Sequence, residues 1–261
     1  MSKETDVRPM RIRTTWKRDI RMFGGIYMLF LPVLIYFIIF NYLPMFGIVM
    51  AFQDFKAVKG YFGSQFVGLE NFVEFFNNPD FPRILRNTLV ISLLGLFVGF
   101  PLSVLFALLL KEIVSTRFKR IVQTISYMPY FVSAVVISGL IIEFVSSNGI
   151  ITNLMVFLGA ERQNLLLNPK FFWMINLISD IWQGLGYGSI IFIAAITNVS
   201  DELHEAAAID GANRLRRVWH ITIPAIMPTI IAILTLRIGL LMSIGFDKIL
   251  LLYNPSIYET A

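Results

Sequence analysis

From Met22 to Gln53 the chain carries no charged side chain. About 20 predominantly apolar residues suffice to cross roughly 30 Å of hydrocarbon, so this run alone places part of the chain in lipid. Comparable runs recur. The expected spans are 23–43, closed by Pro44; 87–110; 121–142; 171–197, interrupted by Asp180; and 224–247, interrupted by Arg237. Hydrophobic residues make up 56% of the 261 and charged residues 15%, whereas soluble domains hold about 45–50% and about 25%. The expected fold is therefore all-α, a polytopic membrane helix bundle. The first run follows a basic segment, but it is too long for a signal peptide and lacks a small-residue cleavage site. It is expected to be a retained anchor.

Several chemistries drop out at once. There are no cysteines, which excludes disulfides, thiol catalysis and Cys-based zinc sites. The two histidines, His204 and His220, do not make a metal cluster, and no metal site is expected. A Gly-rich loop ending in Gly-Lys-Ser/Thr is absent, so the chain is not expected to bind ATP through a P-loop. It is not expected to be an enzyme by itself.

The net charge of +5 has a topological explanation. If the spans alternate, the N-terminal tail and the 111–120 and 198–220 loops share one side and hold 14 Lys and Arg, against seven on the other. Positive charge accumulates on the cytoplasmic side. The N-terminus is thus expected in the cytoplasm, and no nucleic-acid partner is needed to explain the basic balance. Residues 45–83 and 145–170 are expected outside, with the apolar run 150–158 lying as a helix at the outer interface or forming part of a cap.

The most informative segment is Asp201–Pro228. Ser200 or Asp201 can cap a helix, and Glu202 and Glu205 suit its positive end. Glu205-Ala206-Ala207-Ala208 favours helix, and Gly211 permits a sharp bend. Ile221-Thr222-Ile223-Pro224 leads back toward the membrane. A short helix, a bend and a second helix with small alanine side chains suit docking in another protein's groove.

Here the chain resembles the permease subunits of binding-protein-dependent ABC importers. Their EAA motif is Glu-Ala-Ala, three residues, Gly, nine residues, Ile, any residue, Leu-Pro. Glu205-Ala206-Ala207, Gly211, Ile221 and Ile223-Pro224 match every spacing, with Ile in place of Leu. Further similar stretches are Phe30-Leu31-Pro32, Pro44 to Phe55, Gly68-Leu69-Glu70-Asn71-Phe72, Asn87-Thr88, Met128-Pro129, and Gly149 with Asn153. They point to the carbohydrate branch that handles polysaccharide-derived oligosaccharides.

The resemblance implies a bundle of the type I importer kind, with a basic cytoplasmic tail over 1–22, a transmembrane permease domain over 23–261 and a coupling loop over 198–223. Such permeases have six spans; five are visible before Ala261, so a sixth, and with it the C-terminal part of the domain, is expected to be missing from the sequence. The implied setting is the bacterial plasma (inner) membrane. The implied partners are the lipid bilayer, a second permease subunit, two ATPase subunits, an extracellular solute-binding protein and a sugar substrate. ATP and Mg would belong to the ATPase, with no cofactor in this chain. Glu205, Ala206, Ala207, Asp210 and Gly211 would couple to the ATPase. An ion-coupled secondary transporter using Asp180 or Glu143 is the alternative, and it would not require the motif's spacing.

Inside the fourth span, Asn176, Asp180, Gln183 and Tyr187 fall on one helical face. Polar groups at such depth face the bundle interior or a water path, so this stripe can contact sugar or hydrogen-bond neighbouring helices; the sequence leaves both open. Nearby Gly184, Gly186 and Gly188 suit close packing or local bending. Asp180 and Arg237 fall at similar expected depths and are expected to face each other beside a translocation pathway. The competing arrangement sends Arg237 to the partner subunit and Asp180 to water.

Overall fold

A computed structural model describes residues 16–243 and 246–260. Most of the expected basic tail, residues 1–15, and Ala261 lie outside the described residues. Among the described residues, five helical stretches are long and apolar enough to cross a membrane: Met22–Phe52, Phe81–Glu112, Ala134–Phe157, Pro169–Thr197 and Arg214–Gly239. The chain divides into two units, Met1–Asn78 and Pro79–Ala261.

In the first unit, α1 (Trp16–Phe37) does not stop before Pro44. It runs on through a π-turn at Ile38–Tyr42, a turn at Leu43–Met45 and a 3-10 stretch at Phe46–Phe52. The expected end at residue 43 is thus corrected to Phe52. A two-residue antiparallel pair follows, β1 (Gln53–Asp54) on β2 (Gln65–Phe66), then α2 (Glu70–Asn77). The Asn71 amide ties α2 back to the end of the span, donating to the carbonyls of Ala51 at 3.1 Å and Gln53 at 3.0 Å. Much of the segment expected to be an outer loop is therefore structured.

The second unit opens with one long helical stretch, α3 (Phe81–Leu94) and α4 (Phe100–Glu112), joined by a π-turn at Gly95–Gly99. A third π-turn, Val218–Thr222, precedes the fifth span. Each π-turn is followed two residues later by a proline: Pro44, Pro101 and Pro224. Proline lacks an N–H and its ring crowds the carbonyl four residues back. The widened turn resolves this. Leu43, Phe100 and Ile223, each just ahead of its proline, donate to carbonyls five residues back, on Ile38, Gly95 and Val218. The helix continues past the proline instead of ending.

The expected third helix over 121–142 is not one helix. α5 (Thr116–Tyr127) gives way to a 3-10 turn at Met128–Phe131, and Ser133 starts α6 (Ala134–Val145) afresh. Pro129 interrupts the ladder, and the Ser133 hydroxyl accepts from the Val136 N–H as an N-cap. After the Ser146–Gly149 turn comes α7 (Ile150–Phe157). That turn requires glycine, because a β-carbon on Gly149 would lie 2.4 Å from the Glu143 carbonyl oxygen.

α8 (Pro169–Thr197), capped by the Asn168 side chain, packs along α4 and α5. Phe192 is buried against Phe100 in an edge-to-face contact at 5.8 Å, beside Ala107, Ile196 and Ile226. Small residues bring backbones together where lipid offers no hydrophobic drive: Gly186 faces the Ser126 carbonyl so closely that a β-carbon would sit 2.1 Å from its oxygen. α11 (Ile223–Gly239) carries the fifth span but ends at Gly239, not at 247. The chain turns through Leu240–Ser243, where the Ser92 hydroxyl donates to the Leu241 carbonyl, before α12 (Phe246–Leu252).

The final residues fold back over the second unit. Ile257 is fully buried with Ile91, Leu165, Leu166 and Phe172. The Glu259 carbonyl accepts from Arg86 at 2.7 Å and Asn87 at 3.0 Å, and the Thr260 carbonyl from the Trp173 indole at 2.9 Å. Arg83 lies 3.3 Å above the Tyr258 ring while pairing with Asp80. The Tyr258 hydroxyl donates to the same Asp80 carboxylate at 2.9 Å. That hydrogen bond pushes the Tyr258 phenol above its ordinary pKa, with a smaller opposing pull from Arg83.

Candidate functional site

The loop between α8 and α11 folds as its local chemistry dictates. The Ser200 hydroxyl accepts from the Glu202 N–H at 3.2 Å and starts α9 (Asp201–Ile209). Gly211 adopts φ +80°, which lets the Ala212 N–H reach the Ala207 carbonyl at 2.9 Å and closes the helix end. The Asn213 side chain then caps the single turn α10 (Arg214–Arg217), accepting from the Arg216 N–H at 2.9 Å. A β-carbon at Gly211 would meet nothing within 4 Å, so glycine is needed for backbone conformation alone.

The result is a helix, a bend and a second helix, with a groove of about 240 Å³ between the arms, lined by Ala207, Asp210, Ala212, Arg216 and His220 among others. Glu205 and Ala206 are exposed, as are the apolar side chains of Ile209 at 87% and Leu215 at 67%. Glu205 has neither an ion pair nor a side-chain hydrogen bond among the described residues. Both arms are held to the end of α4: Lys111 pairs with Asp201 at 3.2 Å and Glu112 with Arg214 at 3.8 Å. Sequence reasoning missed these anchors, although the adjacent Lys111 and Glu112 stand as charges at a helix end.

The polar face of α8 assembles with partners other than those expected. Asn176 is 2% exposed and donates to Asp180 at 3.0 Å. The counter-ion of Asp180 is Lys248 from α12, which also donates to the Ser179 hydroxyl at 2.8 Å. The expected Asp180–Arg237 pair is not formed. The fifth span ends eight residues earlier than anticipated, so the chain turns and brings Lys248 back to α8. Arg237 instead lies near Gly188, one guanidinium nitrogen 3.9 Å from where a β-carbon would stand.

Farther along the face, Gln183 donates to the Val132 carbonyl at 3.4 Å, in the break between α5 and α6. Tyr187 stacks on Tyr130 from the same break, with ring centres 3.8 Å apart and planes 5° from parallel. Both rings remain 44% exposed. The break thus places a backbone carbonyl and an aromatic pair against the polar face. Among the described residues, no group of three or more His, Asp or Glu side chains could hold a metal ion.

Three comparisons bear on this arrangement. Residues 99–251 match the family of the binding-protein-dependent transport system inner membrane component. The chain is 44% identical to the polygalacturonan/rhamnogalacturonan transport system permease protein YteP of Bacillus subtilis (strain 168), over 90% of this chain and 74% of that protein. Two solved structures are also similar. One is a bacterial ABC transporter involved in the import of the acidic polysaccharide alginate, with a TM-score of 0.85, 39% identity and coverage of 94% of this chain and 82% of that one. The other is the alginate ABC transporter in complex with an alginate pentasaccharide-bound periplasmic protein, with a TM-score of 0.84, 40% identity and coverage of 94% and 81%.

Proposed function

Since the chain belongs to the binding-protein-dependent transport permeases, we propose that it forms half of the translocation pathway of an ATP-driven importer for oligosaccharides cut from a polysaccharide. The observation that carries the coupling part of this reading is the exposed α9–Gly211–α10 arm, held to α4 by paired charges. Glu205, Ala206, Ala207, Asp210 and Gly211 dock into an ATPase subunit. Closure of the ATPase pair moves the arm, and through Lys111 and Glu112 it moves the helix behind it. ATP drives the cycle only through unequal affinity for the two states. ATP and Mg bind the ATPase pair, a second permease completes the pathway, and an extracellular binding protein delivers sugar. The sugar reading is supported by the names of the relatives and by the polar and aromatic face of α8.

The N-terminus and the α9–Gly211–α10 arm lie in the cytoplasm of a bacterial cell, following the Lys and Arg bias. The cysteine-free chain makes this testable. Single cysteines at Asn78 and Asn164 should react with an impermeant reagent in intact cells, and one at Ser115 should not; the reverse pattern would invert the topology. For function, cells holding the intact importer should accumulate radiolabelled oligosaccharide in an ATP-dependent way, and the ATPase should co-purify. Accumulation that follows an ion gradient without the ATPase would overturn the proposal.

A further inference from the structure

Arg237 is a cation within a membrane-spanning helix, and its side chain has no ion pair or hydrogen bond among the described residues. An arginine near a helix end commonly extends toward the nearby interface. This one does not. It stands two residues before the end of α11, roughly 21 Å from Ile223 at 1.5 Å per residue. Its guanidinium lies back against Gly188, which is only nine residues from Thr197 on α8, or roughly 14 Å from that end. Helical side chains lean toward their own N-terminus, and Gly188 leaves the space where the guanidinium lies. The charge therefore sits near the middle of a hydrocarbon layer about 30 Å thick.

A charge at that depth is costly unless it meets water or an anion, and Arg237 is exposed. The carboxylate on the neighbouring polar face is already engaged, since Asp180 is held by Lys248 and Asn176. That leaves the face with one surplus positive charge. Tyr187, adjacent in sequence to Gly188, is half-exposed and stacked with Tyr130. A guanidinium and an apolar ring surface match the two parts of a uronate: the planar carboxylate that separates it from a neutral hexose, and the pyranose ring face that the two sugars share.

We infer that Arg237 reads substrate charge in the pathway, taking the carboxylate of an acidic sugar as its counter-ion while the sugar ring lies against Tyr187 and Tyr130. This rests on the importer function proposed above and narrows its substrate to acidic oligosaccharides. Lys248 is not the reader, because its charge is already neutralised by Asp180.

The test uses the complete importer in proteoliposomes, with trigalacturonate and its neutral methyl ester each preloaded on saturating binding protein so that delivery is equal. Wild type should take up the acid at least tenfold faster than the ester. Arg237→Gln should lose about tenfold on the acid, with ester uptake within about twofold of wild type, and Arg237→Lys should recover part of the loss. The assembled complex should co-purify in equal yield for all three proteins. Equal wild-type uptake of acid and ester, or equal losses on both in Arg237→Gln, would overturn the inference alone. Failure of Arg237→Gln to assemble would also overturn it, by assigning the counter-ion to the partner permease. Uptake of neither sugar by wild type would overturn the sugar-import function as well.

Discussion

Lys248 reaches from the short helix after the fifth span to Asp180 on α8, and in doing so it becomes almost completely buried, with 11% of its side chain exposed against 50% for Asp180. It also bonds the Ser179 hydroxyl. The pair fixes α12 onto α8 across a stretch of chain that has just left the membrane-spanning helix.

Removing one member leaves the other without compensation. Lys248→Met should destabilise the assembled permease by about 1–3 kcal/mol, and Asp180→Asn by less, since its side chain is half open to solvent. The double variant should cost less than the sum by more than about 0.5 kcal/mol. Thermal unfolding of the purified complex measures all three, and additive costs would mean that the two residues do not couple.

The glycines of α8 should separate sharply. Gly186→Ala places a methyl group 2.1 Å from the Ser126 carbonyl oxygen, whereas Gly184→Ala meets nothing within 4 Å. The first should cost about 1–3 kcal/mol or more through overpacking. The second should be neutral or slightly stabilising, because alanine favours helix over glycine. Fluorescence size-exclusion yield after heating would read the difference.

At Gly211 the demand is on the backbone alone. With φ at +80° and open space around the β-position, Asn should be tolerated better than Ala, and Val least. Transport should fall in that order while membrane insertion is retained, and a transport-competent Gly211→Val protein would show that the bend is dispensable. Glu205→Ala, which breaks no ion pair or side-chain hydrogen bond among the described residues, should weaken ATPase co-purification without lowering thermal stability.

The clasp between Tyr258 and Asp80 should respond to alkaline pH. The phenol is raised in the folded protein because the neutral hydroxyl donates to the carboxylate. The bond's contribution is therefore fully present below the unfolded tyrosine value, about 10, and is lost as pH rises through the higher folded value. Tyrosinate absorbance should show a late transition above the ordinary tyrosine range, and Tyr258→Phe should reduce it by one group. A wild-type protein without that late transition would contradict the assignment.

The membrane class and the arm between α8 and α11 were legible because both follow from local chemistry. Uncharged runs mark spans whatever their neighbours do, and Ser200, Gly211 and Asn213 act on residues within one or two turns. Across Pro129–Ser133 hydropathy reads one continuous span because the whole stretch is uncharged; Pro129 signals a kink there, but not that a new helix starts after Ser133. Pro44 suggested a stop because the π-turn that absorbs it has no signature in residue type. Pairing was the least legible level. Depth along an idealised span suggested Arg237 for Asp180, but the counter-ion was decided by where the fifth helix ended, and Gly239 with the turn after it could equally have been read as helix interior.

The π-turns before Pro44, Pro101 and Pro224 carry one more consequence, which concerns phase. Each adds a residue to a helical turn, so the two sides of the proline are out of step by about 100°. A single helical wheel drawn through residues 81–112 therefore superimposes faces that point in different directions, and residues that look lipid-facing on one side project elsewhere on the other. Deleting one residue from Gly95–Gly99 would bring the wheel back into step while rotating α3, with Asn87 and Ile91 on it, relative to α4. The prolines thus make an apparent surplus residue part of the helix's registration.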